Sequence, residues 1–261
     1  MTGIVLEAEG LELRRDGTVI LAGLDWTIRA GERWAVLGPN GCGKTTLSQT
    51  LQGRLHPWGG TLSVLGRTFG KEGITDLWKE VGFAGEALER LFPETLTFED
   101  LVASSRLGTI GTLFDEPTRK DRREARALLA RWGLERHLGR PYRTGSLGER
   151  RKALICRALA GNPRLLVLDE PFAGLDPAAR EELVTHLSTL AQTRPELPML
   201  LVTHHVEEIP PEWTHGLLFS RHGFRIGTLS KVLTSAHLSE IYGHPFALQR
   251  VKGRHFLLPV A

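Results

Sequence analysis

The sequence predicts an α/β protein with a mixed sheet, an antiparallel β subdomain at its N-terminus and a helical insert in its middle. Short apolar runs of strand length alternate with helix-like segments near both ends of the chain, whereas positions 97–162 show helical periodicity. With 261 residues, 41% of them hydrophobic, the chain buries a large core without disulfides. Disordered and fibrous classes are therefore excluded.

The first part of the chain reads as a hairpin followed by a strand, a loop and a helix. Apolar and polar residues alternate on both sides of the turn pair Asp16-Gly17. A helix is expected over 45–52, ended by Gly53. We expect strands at 4–13, 19–28, 34–37, 61–65 and 81–84.

The alternation of strands and helices resumes after the helical insert. We expect strands at 165–168, 200–202, 217–220 and 224–228, and helices at 177–191 and 231–242. Because the insert separates these strands from the earlier ones, the sheet is discontinuous in sequence. We expect one domain over 1–242, with the insert at about 97–162, and a short C-terminal extension over 243–261.

Hydropathy and cysteine usage indicate neither a membrane-spanning nor a secreted protein. No apolar run approaches the roughly 20 residues of a spanning helix, and acidic residues occur too early for a signal peptide. Cys42 and Cys156 lack paired or metal-ligand spacing, which is typical of a reducing compartment. We therefore expect a cytoplasmic protein without a direct membrane span.

Two basic clusters, at 119–123 and 150–152, raise nucleic acid or an acidic membrane surface as a partner. The net charge is only +3, however, and acidic residues such as Asp121 and Glu124 are interspersed. This pattern is typical of an ordinary solvated helix face. We expect no nucleic-acid partner.

The strongest local signal is a glycine-rich phosphate loop between an apolar strand and a helix. It matches the pattern G-x-x-x-x-G-K-[ST] in the context that this pattern requires. Backbone N–H groups and the helix N-terminus bind phosphate, the lysine reaches the β- and γ-phosphates, and the hydroxyl of Thr45 ligates Mg²⁺. The residues expected to bind ATP are Gly38, Pro39, Asn40, Gly41, Cys42, Gly43, Lys44, Thr45 and Thr46.

A second signal is an apolar strand that ends in two carboxylates, Asp169 and Glu170. The carboxyl ends of strands are where α/β sheets present ligands. Asp169 suits an Mg²⁺ ligand, and Glu170 suits a group that orients or deprotonates the attacking water. Beside a phosphate loop, these residues indicate nucleotide hydrolysis.

The order of the motifs resembles that of the ATP-binding-cassette (ABC) ATPases over positions 1–230. Segment 144–150, Thr-Gly-Ser-Leu-Gly-Glu-Arg, is similar to the family's signature L-S-G-G-Q, with matches at Ser146 and Gly148 and departures at Gly145, Leu147 and Glu149. Segment 173–176 resembles the loop through which two such subunits communicate, and His204 resembles the family's switch histidine.

This resemblance implies a P-loop NTPase core of ABC ATPase architecture that works as a head-to-tail homodimer around two Mg-ATP molecules. The signature residues Ser146, Gly148 and Glu149 would face the ATP of the other subunit. His204 would contact the γ-phosphate within its own subunit and, with Glu170, form the catalytic pair.

The sequence departs from the family at two sites. Where members usually carry an Mg²⁺-ligating glutamine, the candidates are Glu86 and Glu89, which are either metal ligands or plain loop glutamates. Where an aromatic residue usually stacks on adenine, the sequence has Arg15, which either stacks its guanidinium plane on the base or is a solvated turn residue.

The resemblance implies an ATPase subunit of a transporter that drives a separate permease and is peripheral at the inner face of the membrane. Segments 87–90 and 204–209 are most similar to stand-alone ATP-binding components of molybdate- or iron-type importers. One alternative is a soluble stand-alone ABC ATPase in assembly, chaperone or nucleic-acid work. Another is a regulator that binds ATP but hardly hydrolyses it, which the presence of Glu170 and His204 disfavours.

Overall fold

The computed structural model describes residues 3–71, 77–89, 91–107, 116–220 and 223–260. The chain forms two compact units. Unit 1 comprises Met1–Ile74 and Leu187–Ala261, and unit 2 comprises Thr75–His186. Positions 108–115 of the predicted helical insert lie outside the described residues. No helix among the described residues is long and apolar enough to cross a membrane.

The described residues contain the following strands and helices. The strands are β1 Ile4–Arg15, β2 Thr18–Arg29, β3 Arg33–Leu37, β4 Gly59–Val64, β5 Arg67–Thr68, β6 Val81–Gly85, β7 Leu165–Asp169, β8 Met199–Thr203, β9 His215–Ser220, β10 Gly223–Thr228, β11 Phe246–Val251 and β12 Arg254–Pro259. The α-helices are α1 Lys44–Leu51, α2 Leu77–Glu80, α3 Glu86–Glu89, α4 Phe98–Ala103, α5 Arg119–Arg131, α6 Leu147–Ala160, α7 Pro177–Thr193, α8 Leu229–Val232 and α9 Ser235–Tyr242.

Unit 1 contains a mixed sheet with the strand order β10-β9-β3-β8. Strand β3 is parallel to both of its neighbours, β8 and β9, while β10 is antiparallel to β9. Every residue of β8 is buried, and so are the last four residues of β3. Continuous apolar runs of this kind are typical of parallel strands covered on both faces. The predicted mixed sheet is thus confirmed.

A second sheet of unit 1 is antiparallel, with the strand order β2-β1-β4-β5. It contains the predicted N-terminal hairpin, β1 and β2, in which Ala8 pairs with Trp26. Buried residues of both strands form its apolar face, among them Leu6, Leu24 and Trp26. The predicted antiparallel β subdomain is therefore confirmed.

Unit 2 combines a parallel strand pair, β6 and β7, with the helices α4, α5 and α6. Side chains cap these helices: Thr97 accepts a hydrogen bond from the N–H of Asp100 at α4, and Thr118 and Asp121 form a capping box at α5. Such caps satisfy backbone N–H groups that the first helical turn leaves without a partner.

The C-terminal part of unit 1 differs from the expectation in two respects. The predicted helix 231–242 is two helices, α8 and α9, because Thr234 caps α9 by accepting a hydrogen bond from the N–H of His237. The predicted extension 243–261 contains an antiparallel hairpin, β11 and β12. Strand β12 of this hairpin donates hydrogen bonds to Glu207, close to the end of β8.

Candidate functional site

The phosphate loop joins β3 to α1 in unit 1 and encloses the ammonium group of Lys44. Lys44 is only 4% exposed, and its Nζ donates hydrogen bonds to the carbonyl oxygens of Gly38 at 2.9 Å and Pro39 at 3.1 Å. A cation is therefore held within the curve of the loop. This is the arrangement that an anionic phosphate group requires.

Glycine is required at the point where the loop enters α1. Gly43 has a φ of +106°, and a Cβ atom at this position would lie 2.0 Å from Cγ2 of Ile20. Gly43 also provides no side-chain cap, and the first turn of α1 carries no acidic residue. The N–H groups of this turn therefore remain available for an anion.

A cavity of about 620 Å³ lies beside the phosphate loop, within unit 1. Its lining comes from the start of β2, from the loop, from the end of β9 and from the end of α9. The lining residues are Val19, Ile20, Pro39, Asn40, Gly41, Cys42, Ser220, Glu240, Ile241, Tyr242 and Gly243. The cavity places a concave surface beside the candidate phosphate site, as a nucleotide site requires.

Arg15, the residue predicted to stack on adenine, lies at the end of β1 next to the hairpin turn. Its side chain is 64% exposed, and its Nε lies 3.8 Å from a carboxylate oxygen of Asp16. Arg15 is not among the residues that line the 620 Å³ cavity, whereas Val19 from the facing strand is. The role of Arg15 therefore stays a prediction.

His204 directly follows β8, on the same edge of the sheet as the phosphate loop. The last residue of β8, Thr203, pairs with Leu37, the last residue of β3, so that His204 and Gly38 both follow paired positions. Thr203 donates a hydrogen bond to the carboxylate of Glu208 and accepts one from the N–H of His205. The turn that carries His204 is thus tied to the strand end.

In unit 2, Asp169 and Glu170 lie at the corresponding edge of the β6–β7 pair. Asp169 pairs with Gly85, the last residue of β6. Glu170 has a φ of +47°, which is uncommon for a residue other than glycine. Backbone strain of this kind is concentrated at functional sites, where it fixes the direction of a side chain.

Glu86 and Glu89, the candidates for the glutamine position, lie in different environments. Glu89 is buried, and its carboxylate oxygens lie 3.0 Å from Arg151 and 3.4 Å from Arg150. Glu86 directly follows Gly85 at the edge that carries Asp169, and its side chain is 54% exposed. Arg151 also lies 3.8 Å from Glu86, but only Glu89 is buried against two arginines, so Glu86 is the more accessible candidate for a metal ligand.

The signature segment forms the N-terminus of α6. The hydroxyl of Ser146 accepts a hydrogen bond from the N–H of Glu149, and the Glu149 carboxylate accepts one from the N–H of Ser146 at 2.8 Å. The same carboxylate lies 2.7 Å from Arg136 and 3.0 Å from His137. Glu149, where the sequence departs from the family signature, therefore forms a capping box with Ser146 and belongs to a polar network with Arg136 and His137.

Charge on Glu149 is favoured in this network. Burial of its carboxyl raises the pKa, but hydrogen bonds from Ser146 and Arg136 outweigh this effect and lower the pKa to about 2, from an ordinary value of 4.5. The carboxylate is consequently ionised at neutral pH.

The segment predicted to communicate between subunits packs against the signature segment. Gly174 has a φ of +77°, and a Cβ atom there would lie 3.0 Å from Cδ2 of Leu147, the first residue of α6. Asp176 accepts a hydrogen bond from the N–H of Ala179 and so caps α7. Both segments lie in unit 2.

Sequence reasoning missed several residues that hold the predicted ones in place. Their contacts join positions far apart in sequence, and no local pattern reports such contacts. The spacing Ser146-x-x-Glu149 was the exception, because it is a recognised capping-box signal. The missed residues are Arg136, His137, Arg150, Arg151 and Tyr242.

The fold and the phosphate loop define a nucleotide-binding α/β protein, and comparisons with known proteins specify it further. The ABC transporter family model matches residues 21–173. The ABC transporter ATP-binding protein YlmA of Bacillus subtilis, itself uncharacterised, is 35% identical over 257 residues, which cover 97% of each chain. The chain therefore belongs to the ABC transporter family, as an ATP-binding protein.

Solved structures agree with this assignment. An ABC transporter in an inward-facing conformation matches with a TM-score of 0.81 at 26% identity, covering 99% of this chain and 98% of the other. CbiO1 of Clostridium perfringens, part of the ABC transporter complex CbiONQ, matches with a TM-score of 0.74 at 25% identity, covering 90% and 92%. The predicted ABC ATPase architecture is confirmed.

Proposed function

We propose that this chain is the ATP-hydrolysing subunit of an ABC transporter, which dimerises around two Mg-ATP molecules and drives a separate permease from the cytoplasmic side of the membrane. The observation that carries this proposal is the phosphate loop with the buried ammonium group of Lys44. The family and the names of the relatives, which are ATP-binding proteins of ABC transporters, support it.

The proposal assigns phosphate binding to the loop 38–46 and to the N-terminus of α1. The ammonium group of Lys44 binds the β- and γ-phosphate oxygens in place of the two carbonyl oxygens that it contacts in this structure. The N–H groups at the start of α1 provide further donors. The neighbouring cavity of about 620 Å³ offers room for the rest of the nucleotide.

The candidate residues for Mg²⁺ offer oxygen donors, which suit this hard cation. They are the hydroxyl of Thr45 in unit 1, and the carboxylates of Asp169 and Glu86 in unit 2. Among the described residues, no three or more His, Cys, Asp or Glu side chains cluster as a metal site. When bound, Mg²⁺ would neutralise charge on the transferring phosphate.

Hydrolysis is assigned to Glu170 and His204. The carboxylate of Glu170 orients the attacking water and accepts its proton, and the strained backbone at φ +47° fixes the direction in which this side chain leaves β7. His204, tied to the strand end through Thr203, donates a hydrogen bond to the γ-phosphate and holds it in position.

Dimerisation is assigned to the signature segment. Ser146 is exposed at the N-terminus of α6, where its hydroxyl and the N–H of Gly148 can reach an anion on a second subunit. The negatively charged carboxylate of Glu149 contacts Arg136 and His137. The guanidinium of Arg136 compensates the carboxylate, so that the segment still accepts a phosphate.

The test uses Glu170→Gln, which keeps the shape of the side chain and removes the general base. The tagged variant is purified with Mg-ATP from native membrane and soluble fractions, and co-purifying proteins are identified. We expect ATP turnover to fall about 100-fold or more with ATP binding retained, and a multi-span permease to co-purify. Glu135→Gln, an exposed glutamate of the same unit, is the matched control.

A stand-alone ABC ATPase without a permease is the second candidate. The observation that favours it is the replacement of the usual glutamine, which senses the permease in the family, by a segment in which Glu89 is neutralised by arginines. If Glu170→Gln co-purifies only with soluble proteins or nucleic acid, this candidate replaces the transport role. Wild-type protein that binds ATP but shows no turnover as a dimer contradicts both candidates.

A further inference from the structure

The C-terminal residues of unit 1 contact the turn that carries His204. The hydroxyl of Tyr242, the last residue of α9, donates a hydrogen bond to the carbonyl oxygen of His204 at 2.8 Å. Burial raises the pKa of Tyr242 above its ordinary value, and the charge of Glu207 raises it further, so the hydroxyl stays protonated and can donate. Because Tyr242 bonds to the backbone carbonyl of His204, it fixes the position of the backbone in this turn and does not contact the imidazole ring through this bond.

The hairpin β11–β12 holds the same turn from a second direction. Arg254 donates a hydrogen bond to the carbonyl oxygen of Glu207, and the N–H of Leu257 donates one to the Glu207 carboxylate at 3.0 Å. The backbone and the side chain of Glu207 are therefore both bound by β12. Arg254 in turn lies over the ring of Phe256, which limits its movement.

The same segment also forms part of the cavity beside the phosphate loop. Tyr242 and Gly243 line this cavity together with Asn40, Gly41 and Cys42 of the loop. Tyr242 thus contacts the backbone of His204 through its hydroxyl and lines the same cavity as the phosphate loop. Tyr242 therefore links the turn that carries His204 to the cavity beside the phosphate loop.

We propose that Tyr242 and Arg254 are positioning residues that fix the His204 turn relative to the phosphate loop, so that the end of α9 and strand β12 contribute to catalysis. The inference rests on the proposed function, in which His204 contacts the γ-phosphate. Neither residue touches the nucleotide phosphates in this proposal. Both act through the backbone of 204–207.

The test compares Tyr242→Phe and Arg254→Gln with wild type, as full-length proteins, in steady-state ATP turnover. Tyr242→Phe removes one hydrogen bond and leaves the ring in place. Because one neutral hydrogen bond contributes modestly, we expect kcat to fall about 3- to 10-fold, with KM for ATP and the melting temperature nearly unchanged. Arg254→Lys retains a donor and should restore part of the turnover that Arg254→Gln loses.

Arg250→Gln is the matched control, since Arg250 is an exposed arginine of the same hairpin. A second readout is hydrogen exchange of the amides at 203–209 with saturating Mg-ATP, which should become faster in Tyr242→Phe and Arg254→Gln but not in Arg250→Gln. A merely structural role would lower the melting temperature of each variant without separating kcat from KM.

The outcomes separate this inference from the proposed function. If wild type shows no ATP turnover, the proposed function fails, while hydrogen exchange still tests the contacts to the His204 turn. If wild type is active, His204→Ala is inactive and Tyr242→Phe keeps kcat within twofold, the inference is overturned. It is also overturned if Arg250→Gln loses as much turnover as Arg254→Gln.

Discussion

At the scale of single residues, nucleotide binding is expected to depend on Lys44 of the phosphate loop. Its ammonium group is almost fully buried and donates hydrogen bonds to the carbonyl oxygens of Gly38 and Pro39, which carry partial negative charge. Phosphate oxygens carry full negative charge, so hydrogen bonds from this ammonium group to a phosphate are stronger than those to carbonyl oxygens. The affinity of the loop for ATP should therefore depend strongly on this one residue.

Replacement of Lys44 tests this directly. We expect Lys44→Ala to weaken ATP binding about 10- to 100-fold, because a charge-assisted hydrogen bond to phosphate is lost. The dissociation constant of a fluorescent ATP analogue measures the effect, with Lys231→Ala, an exposed lysine of the same unit, as control. Near-normal affinity in Lys44→Ala would refute the assignment of the loop.

Sequence reasoning found those residues whose role follows from their neighbours in the chain. Lys44 belongs to a contiguous pattern, and Asp169 ends an apolar strand, so both could be predicted from local sequence. Tyr242 could not be predicted, because its partner His204 is distant in sequence and no pattern links the two. The ion pair of Glu89 with Arg151 could not be predicted either, because the two residues are distant in sequence.

Helix α6 shows how an element depends on its first turn. The capping box of Ser146 and Glu149 satisfies N–H groups at the start of the helix, and negative charge there interacts favourably with the helix dipole. Arg136 and His137 hold the carboxylate from outside the helix. The signature segment is thus ordered by a charged residue that ABC ATPases do not usually have there.

The pKa of Glu149 gives this element a pH dependence. Because the pKa in the folded protein, about 2, lies below the ordinary value of 4.5, ionised Glu149 stabilises the fold above pH 4.5 and loses this effect as the pH falls towards 2. Glu149→Gln should therefore lower the free energy of unfolding at pH 7 and do so much less at pH 3.

Urea unfolding of both proteins at the two pH values measures this difference. Glu135→Gln, which removes an exposed carboxylate outside the network, is the control. An equal destabilisation by Glu149→Gln at pH 7 and pH 3 would show that the charge of Glu149 does not stabilise the helix.

Elements were predicted well where they are long and periodic, and poorly where they are short. The hairpin β1–β2 and the helices α6 and α7 follow from hydrophobic spacing. The two residues of β5 and the four residues of α3 are too short to show a period. The hairpin β11–β12 carries the turn pair Lys252-Gly253, a signal that the expectation of a plain extension overlooked.

The predicted site residues fall in both units of the chain. Unit 1 contributes the phosphate loop and His204, and unit 2 contributes Asp169, Glu170 and the signature segment. In the proposed dimer, the signature segment of one subunit serves the ATP of the other. The association of subunits should therefore depend on both Mg-ATP and Ser146.

We expect Glu170→Gln to sediment as a dimer with saturating Mg-ATP and as a monomer without it. Addition of Ser146→Arg should keep the protein monomeric, because a bulky cation at the helix N-terminus blocks closure, while ATP binding is retained. Analytical ultracentrifugation measures the mass. Ala127→Arg, which adds the same charge at an exposed position of α5, should leave the dimer intact. A stable dimer of Glu170→Gln/Ser146→Arg would contradict the proposed sandwich.

The interruption of unit 1 by unit 2 affects the order in which the chain becomes structured during synthesis. Strand β3 pairs in parallel with β8 and β9, and both of these strands follow position 186, where unit 2 ends. All of unit 2 is therefore synthesised before them. Unit 2 can collapse on the ribosome as soon as it emerges, since its strand pair and helices are complete. The strand that leads into the phosphate loop, by contrast, waits for partners from the last third of the chain. We therefore expect the chain to bind ATP only after β8 and β9 have been synthesised.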